Sequence, residues 1–167
     1  MEAPLFPGGP QVRQARPEDI AALAAFEVEI ARISFPDDPV EDLAVHAKKL
    51  HKALEKDPRG MFVLESQGQT AGWLWITLNT NFLTGERYAT FRSFAISPSW
   101  RGTPAPQAFL RFGLDYCRQE GVRRVTGKVH VGNIAMRALY KQVGFAPKHL
   151  TMEIDLRETD QPGPRAT

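Results

Sequence analysis

Apolar positions along this chain recur with two periods, every third or fourth residue in some stretches and every second residue in others. The helical period governs Ile20, Leu23, Ala24, Phe26, Ile30 and Ile33. These follow Arg16-Pro17-Glu18-Asp19, which puts a proline and two acids in a first helical turn. Asp37-Asp38-Pro39 breaks the pattern, and a second helix is predicted over 40–56 with Leu43, Ala47, Leu50 and Leu54 as its stripe. A third is predicted over 104–120, turning Ala105, Ala108, Phe109, Phe112 and Tyr116 inward. Strands are predicted over 12–15, 61–65, 71–78, 88–96, 122–129 and 145–156, the last from the alternation of Met152, Ile154 and Leu156. Asp57-Pro58-Arg59-Gly60 is a stop, Gln67-Gly68-Gln69 a tight turn, and 79–86 and 97–103 are polar loops.

One short helix is more specific. It starts at a capping residue, Asn133, and stops at Gly144, before Phe145. At 3.6 residues per turn, Tyr140 falls within about 20° of Asn133 around the helix axis. Ala135, Ala138, Leu139 and Val143 form a core stripe on the other side. An amide and a phenol two turns apart thus share one line that the core does not claim, and both can face one ligand.

The order β-α-α-β-β-β-α-β-α-β joins early hairpins to late crossover helices. It predicts an α+β domain over 11–156, a mixed sheet covered by helices in α/β/α layers. Residues 1–10, with three prolines and two glycines, read as a flexible arm, and 157–167 as a flexible tail. A net charge of +2 and no basic block argue against nucleic acid as a partner. No apolar run is long enough for a membrane span and no signal pattern is present, so a cytoplasmic protein is expected. Cys117 is the only cysteine, which excludes an internal disulfide, and its helical neighbours make it a buried small hydrophobe.

Four segments resemble the GCN5-related N-acetyltransferase (GNAT) superfamily. They are Val12-Arg13-Gln14-Ala15-Arg16-Pro17-Glu18-Asp19, Phe94-Ala95-Ile96-Ser97-Pro98-Ser99-Trp100-Arg101-Gly102, the run from Asn133 to Phe145, and the closing strand. The resemblance implies a mostly antiparallel sheet with a V-shaped splay between the strands ending near Ile96 and Val129. Acetyl-CoA or another acyl-CoA would lie in the V as cosubstrate, with no metal. The backbone of Ala95 and Ile96 would pair with the pantetheine arm like an added strand. Arg101, Gly102, Thr103, Ala105 and Gln107 would hold the pyrophosphate at a helix start. Asn133 would steady the coenzyme arm, and Tyr140 would protonate the departing thiolate as general acid.

Two departures from the family pattern stand out. Where the loop calls for glycine, Arg101-Gly102-Thr103-Pro104-Ala105-Pro106 has prolines, which carry no N–H for an anion. Where many relatives place a glutamate base, this chain has Arg92. Glu65, Glu86 and His130 are the alternative bases. The resemblance implies transfer of an acetyl group to an amine, in a small molecule or a protein, by direct attack. The acceptor would lie between the first two helices and the 79–86 loop, with Asp37, Asp38 and Glu86 facing a cationic amine. The rival is a non-catalytic acyl-CoA-binding or regulatory module with a degenerate pyrophosphate loop. Either reading accommodates a homodimer.

Overall fold

Successive side chains of a strand leave opposite faces of a sheet, and in the central strands both sets are apolar, so both faces need a cover. The computed structural model, which describes residues 3–157, has that three-layer form. Its six strands lie side by side in chain order. These are β1 (Ala3–Pro4), β2 (Gln11–Gln14), β3 (Met61–Ser66), β4 (Gln69–Thr80), β5 (Arg87–Ile96) and β6 (Arg124–Gly127). The pairs from β1 to β5 are antiparallel, and β6 joins β5 in parallel.

One face is sealed by α1 (Ile20–Ser34) and α2 (Leu43–Lys56). Its core comprises Ala15, Leu23, Ala24, Leu50, Met61, Val63, Trp73 and Trp75. The other face carries α3 (Ala105–Gln119) and α4 (Ile134–Gln142) over Phe62, Leu74, Ile76, Phe91, Phe109, Leu110, Cys117 and Tyr140. Between them β2 and α1 are clamped by a buried fork: Arg13 donates to Asp19 at 2.7 and 2.8 Å and to Glu65 at 2.6 Å. Burial opposes the Asp19 charge, yet the Arg13 fork overrides it and holds this carboxyl below the usual range.

Four expectations are corrected. The α1 stripe is Leu23, Ala24, Glu27, Val28 and Ala31, while Ile33 is exposed. The helix is rotated because Glu27, charged and so left out of a sequence-based core, is drawn inward by the Trp73 Nε1–H at 2.9 Å. Second, α2 starts at Leu43 rather than 40, because Asp42 caps it by accepting from the Ala44 N–H at 2.8 Å; Leu43 stays exposed. Third, the stretch read as a loose arm folds back from residue 3: Ala3 pairs with Val12, and Leu5 and Phe6 pack on the core.

The fourth correction is the largest. No closing strand forms over 145–156, and Leu150, Met152, Ile154 and Leu156 are 69–87% exposed. Alternation supplies a face but not a partner; β6 is only four residues long and adds no further strand on its outer edge among the described residues. The tail beyond residue 157 lies outside the described residues.

Candidate acyl-transfer site

β5 and β6 run together for four register pairs, from Tyr88 with Arg124 to Phe91 with Gly127. There they part. β5 continues to Ile96, whereas β6 stops at Gly127 and the chain turns away. At the parting point β5 also slips register against β4: Trp75 faces Ser93 and Ile76 faces Phe91, so Arg92 is an extra, bulged residue. The bulge places two successive side chains on the α1/α2 face. Arg92 lies over the Trp75 ring, and buried Ser93 faces Trp75 across the ladder.

Beyond the bulge the backbone alternates. The Ser97 N–H donates to the Ala71 carbonyl at 2.9 Å, so Ser97 and Ala95 turn their polar groups toward β4. Phe94 and Ile96 turn theirs into the gap that β6 has left. Of the two residues expected to pair with an extended ligand, Ile96 thus faces the gap while Ala95 is committed to Trp73. The Ile96 carbonyl already accepts from Arg101 Nε at 2.9 Å, and Arg101 also pairs with Glu29 of α1. The expected pyrophosphate ligand Arg101 is therefore anchored to β5 and α1.

The Tyr140 phenol stands at the fork. A Cβ added to Gly127, the last residue of β6, would overlap the phenol oxygen and lie 2.8 Å from Cζ. The ring stacks on Phe145 with centroids 4.5 Å apart, and Phe145 in turn meets Phe91 at 5.8 Å. Residue burial is deep, at 7% exposure, and pushes the phenol up to about 12. Its oxygen has no hydrogen-bond partner among the described residues, yet it is not among the fully enclosed unpartnered oxygens, so it still reaches solvent. The expected stripe of α4 is corrected: Ala135 and Ala138 are exposed, and Tyr140 itself joins the core with Met136, Leu139 and Val143 beside it, because the bulky ring rather than the two small residues fills the space over Phe91 and Gly127. Asn133 caps the helix: its Oδ1 accepts from the Met136 N–H at 3.1 Å. The Asn133 amide N–H groups are left for another partner.

The loop leading to α3 holds fewer free donors than glycines would give. Thr103 Oγ1 donates to the Trp100 carbonyl at 2.7 Å and accepts from the Ala105 N–H at 3.2 Å. Ala105, expected to be a free donor, is thus satisfied and fully buried. Pro104 and Pro106 have no N–H. Gly102, Thr103 and Gln107 keep N–H groups without a protein acceptor among the described residues. Gly102 takes φ +73° with open space around it, leaving room for a ligand to approach the backbone.

The expected bases are dispersed. Glu65 serves Arg13. Glu86 sits at the closed end of the β5–β6 pair, 3.7–3.9 Å from Arg123 and Arg124. His130 accepts from the Gly132 N–H at 3.1 Å within its own turn. Glu86 therefore does not join Asp37 and Asp38 in an acidic wall, and Asp38 is faced by the charge of Arg157. Sequence reading missed the group that does flank the fork on the α1/α2 side: Glu27, Lys49, Trp73, Trp75 and Arg92. Glu27 is 5% exposed and holds Trp73 Nε1 at 2.9 Å and Lys49 Nζ at 3.7 Å. Lys49 Nζ lies 5.3 Å and Arg92 Cζ 5.0 Å from the Trp75 ring centre. Only the spacing of Trp73 and Trp75 on one face hinted at it.

This arrangement leaves an unpaired strand edge open to an extended ligand. The gap offers a strand edge at Phe94 and Ile96, three backbone donors near the α3 start, and a proton donor where the strands divide. No cluster of three or more metal-ligating side chains occurs among the described residues. The chain is 28% identical over 138 residues to a Bacillus subtilis protein named as a candidate ribosomal protein bS18 alanine N-acetyltransferase, covering 81% of this chain and 80% of that one. It is 26% identical to a mycothiol acetyltransferase of Streptomyces griseus, over 92% of this chain but only 47% of that longer protein. A predicted acetyltransferase of Clostridium acetobutylicum, solved with acetyl-CoA, superposes with a TM-score of 0.68 at 16% identity, covering 88% and 96% of the two chains. The model of the acetyltransferase (GNAT) family matches residues 22–145, most of the chain, and this protein belongs to that family.

Proposed function

We propose that this protein is an acetyl-CoA-dependent N-acetyltransferase that acts on an amine by direct attack. The observation that carries the reading is the phenol of Tyr140 at the fork of β5 and β6, unpartnered, solvent-reaching and held fully protonated by burial. Bound acetyl-CoA supplies an activated thioester, whose C–S bond breaks as the acceptor nitrogen bonds to the carbonyl carbon. Tyr140 gives its proton to the sulfur, and the proton shed by nitrogen leaves through water and restores the phenol.

The chain's residues divide the remaining tasks. The Ile96 N–H, with the backbone of Phe94, offers the strand edge for the pantetheine arm, the Ile96 carbonyl being held by Arg101; Ala95 shapes that edge from the β4 side. Gly102, Thr103 and Gln107 aim N–H groups at the pyrophosphate, aided by the dipole of α3. Arg101 fixes the geometry of the loop from Ile96 and Glu29. Asn133 offers its free amide N–H groups to the coenzyme arm. The acceptor enters from the α1/α2 side, because aromatic packing of Phe91, Tyr140 and Phe145 fills the other.

The reduced donor set at α3 favours a second reading, a module that binds acyl-CoA without turnover. Calorimetry with acetyl-CoA, followed by thiol release with a panel of amines, separates the two. Binding with amine-dependent thiol release supports the enzyme; binding without release from any amine supports the module; no binding at millimolar ligand overturns both.

A further inference from the structure

We infer that the acceptor amine carries an oxyanion, a carboxylate or phosphate a few bonds from its nitrogen, and that Arg92 recognises it. This rests on the acetyltransferase reading above and names its substrate class. Of the cations set at Trp75 and Ile96, two are already matched. Lys49 lies 3.7 Å from Glu27, and Arg101 pairs with Glu29. Arg92 is exposed and has no ion pair or hydrogen bond among the described residues. Its guanidinium carbon lies over the ring of buried Trp75, 5.0 Å from the ring centre. A guanidinium set over an aromatic ring, with no carboxylate of its own, can offer its N–H fork for a two-point grip on a carboxylate or phosphate.

Placement makes the charge consequential. Arg92 is the extra residue of the β5 bulge, one step from Phe91, where the strands divide beside the phenol. Its side chain lies over Trp75 on the α1/α2 side, so an acceptor entering from that side, as in the reading above, meets the guanidinium. A simple cationic amine would be repelled there, while an amino acid or amino phosphate would bring the missing counter-charge. The same field favours the neutral, nucleophilic form of a nearby amine over its ammonium form. This supplies what a carboxylate base would otherwise supply, in a site where Glu27 is occupied by Trp73 and Lys49 and where Glu65, Glu86 and His130 are elsewhere.

The test uses matched acceptors with the full-length chain: free amino acids, the same amino acids as carboxamides, small amino phosphates, and a diamine. Wild-type protein is expected to prefer an oxyanion-bearing amine over its neutral counterpart by about 10- to 100-fold in kcat/KM. The carboxylate and phosphate arms show which oxyanion it is. Arg92→Met should bring that ratio close to one, and Arg92→Lys should keep most of it. Quenching of tryptophan fluorescence on adding the preferred amine, lost in Arg92→Met, gives a readout independent of turnover. Equal or better use of the carboxamide or the diamine, or a ratio unchanged in Arg92→Met, overturns the inference while leaving an active acetyltransferase. Failure to bind acetyl-CoA overturns this inference together with the reading beneath it.

Discussion

Tyr140 and Gly127 act as one unit. A phenol serves as an acid only while it keeps its proton, and burial holds this one up to about 12. Replacing Tyr140 with Phe removes the proton and keeps the ring, so kcat should fall by about 10²- to 10⁴-fold while acetyl-CoA affinity scarcely moves. Stopped-flow and calorimetry together check the split; an unchanged kcat removes the phenol from the chemistry. Turnover should rise with pH as the acceptor amine loses its proton, with no falling limb from Tyr140 below its pKa of about 12. Gly127→Ala attacks the same oxygen from the strand. The new methyl overlaps the phenol, so kcat should fall comparably and stability by about 1–3 kcal/mol, read by denaturant melts.

At the scale of elements, α3 and the β3–β4 turn give separable tests. Pro106→Ala returns an N–H to the first turn of α3 without disturbing the Thr103 cap. One added donor to a charged group should tighten acetyl-CoA binding about tenfold; weaker binding by calorimetry would refute the account of the loop. In the turn, Gln67 and Gly68 both have positive φ, +51° and +71°. Asn tolerates that region better than Gln, so Gln67→Asn should raise stability by up to about 1 kcal/mol, visible as a higher melting temperature. These elements also show what could be read from sequence. The extent of the Tyr140 helix was legible because its cap and its stop are local, written in Asn133 and Gly144, but the face it buries was not, since Ala135 and Ala138 are exposed and Tyr140 is buried. The bulge at Arg92 was not, since a register slip belongs to two strands and neither spells it alone. Glu27 was hidden by its charge, and the absent closing strand shows that alternation cannot name a partner.

Across the molecule, three weak acids, two buried and one partly buried, share one sign. Burial raises Tyr140 and Tyr116 from 10 to about 12 and Cys117 from 9 to about 11. The folded chain therefore holds these protons more tightly than the unfolded one. Their contribution to stability is complete below pH 9 and declines as pH rises through roughly 9 to 12, because the unfolded state sheds protons first. Denaturant midpoints taken between pH 8 and 11 should fall steadily once past 9, and a flat profile would contradict the assignment. The three-layer architecture was legible from the order of periodic segments, whereas the division of its two cores was set by which helix each central strand met.

Cys117 carries a practical dividend. The chain's sole sulfhydryl is 1% exposed and too weakly acidic to react at neutral pH. Maleimide reagents should leave the native protein blank, so one cysteine introduced at Ser99, in the loop proposed to hold the coenzyme, becomes an unambiguous attachment point. A fluorophore there would report nucleotide docking without any need to strip the native residue first.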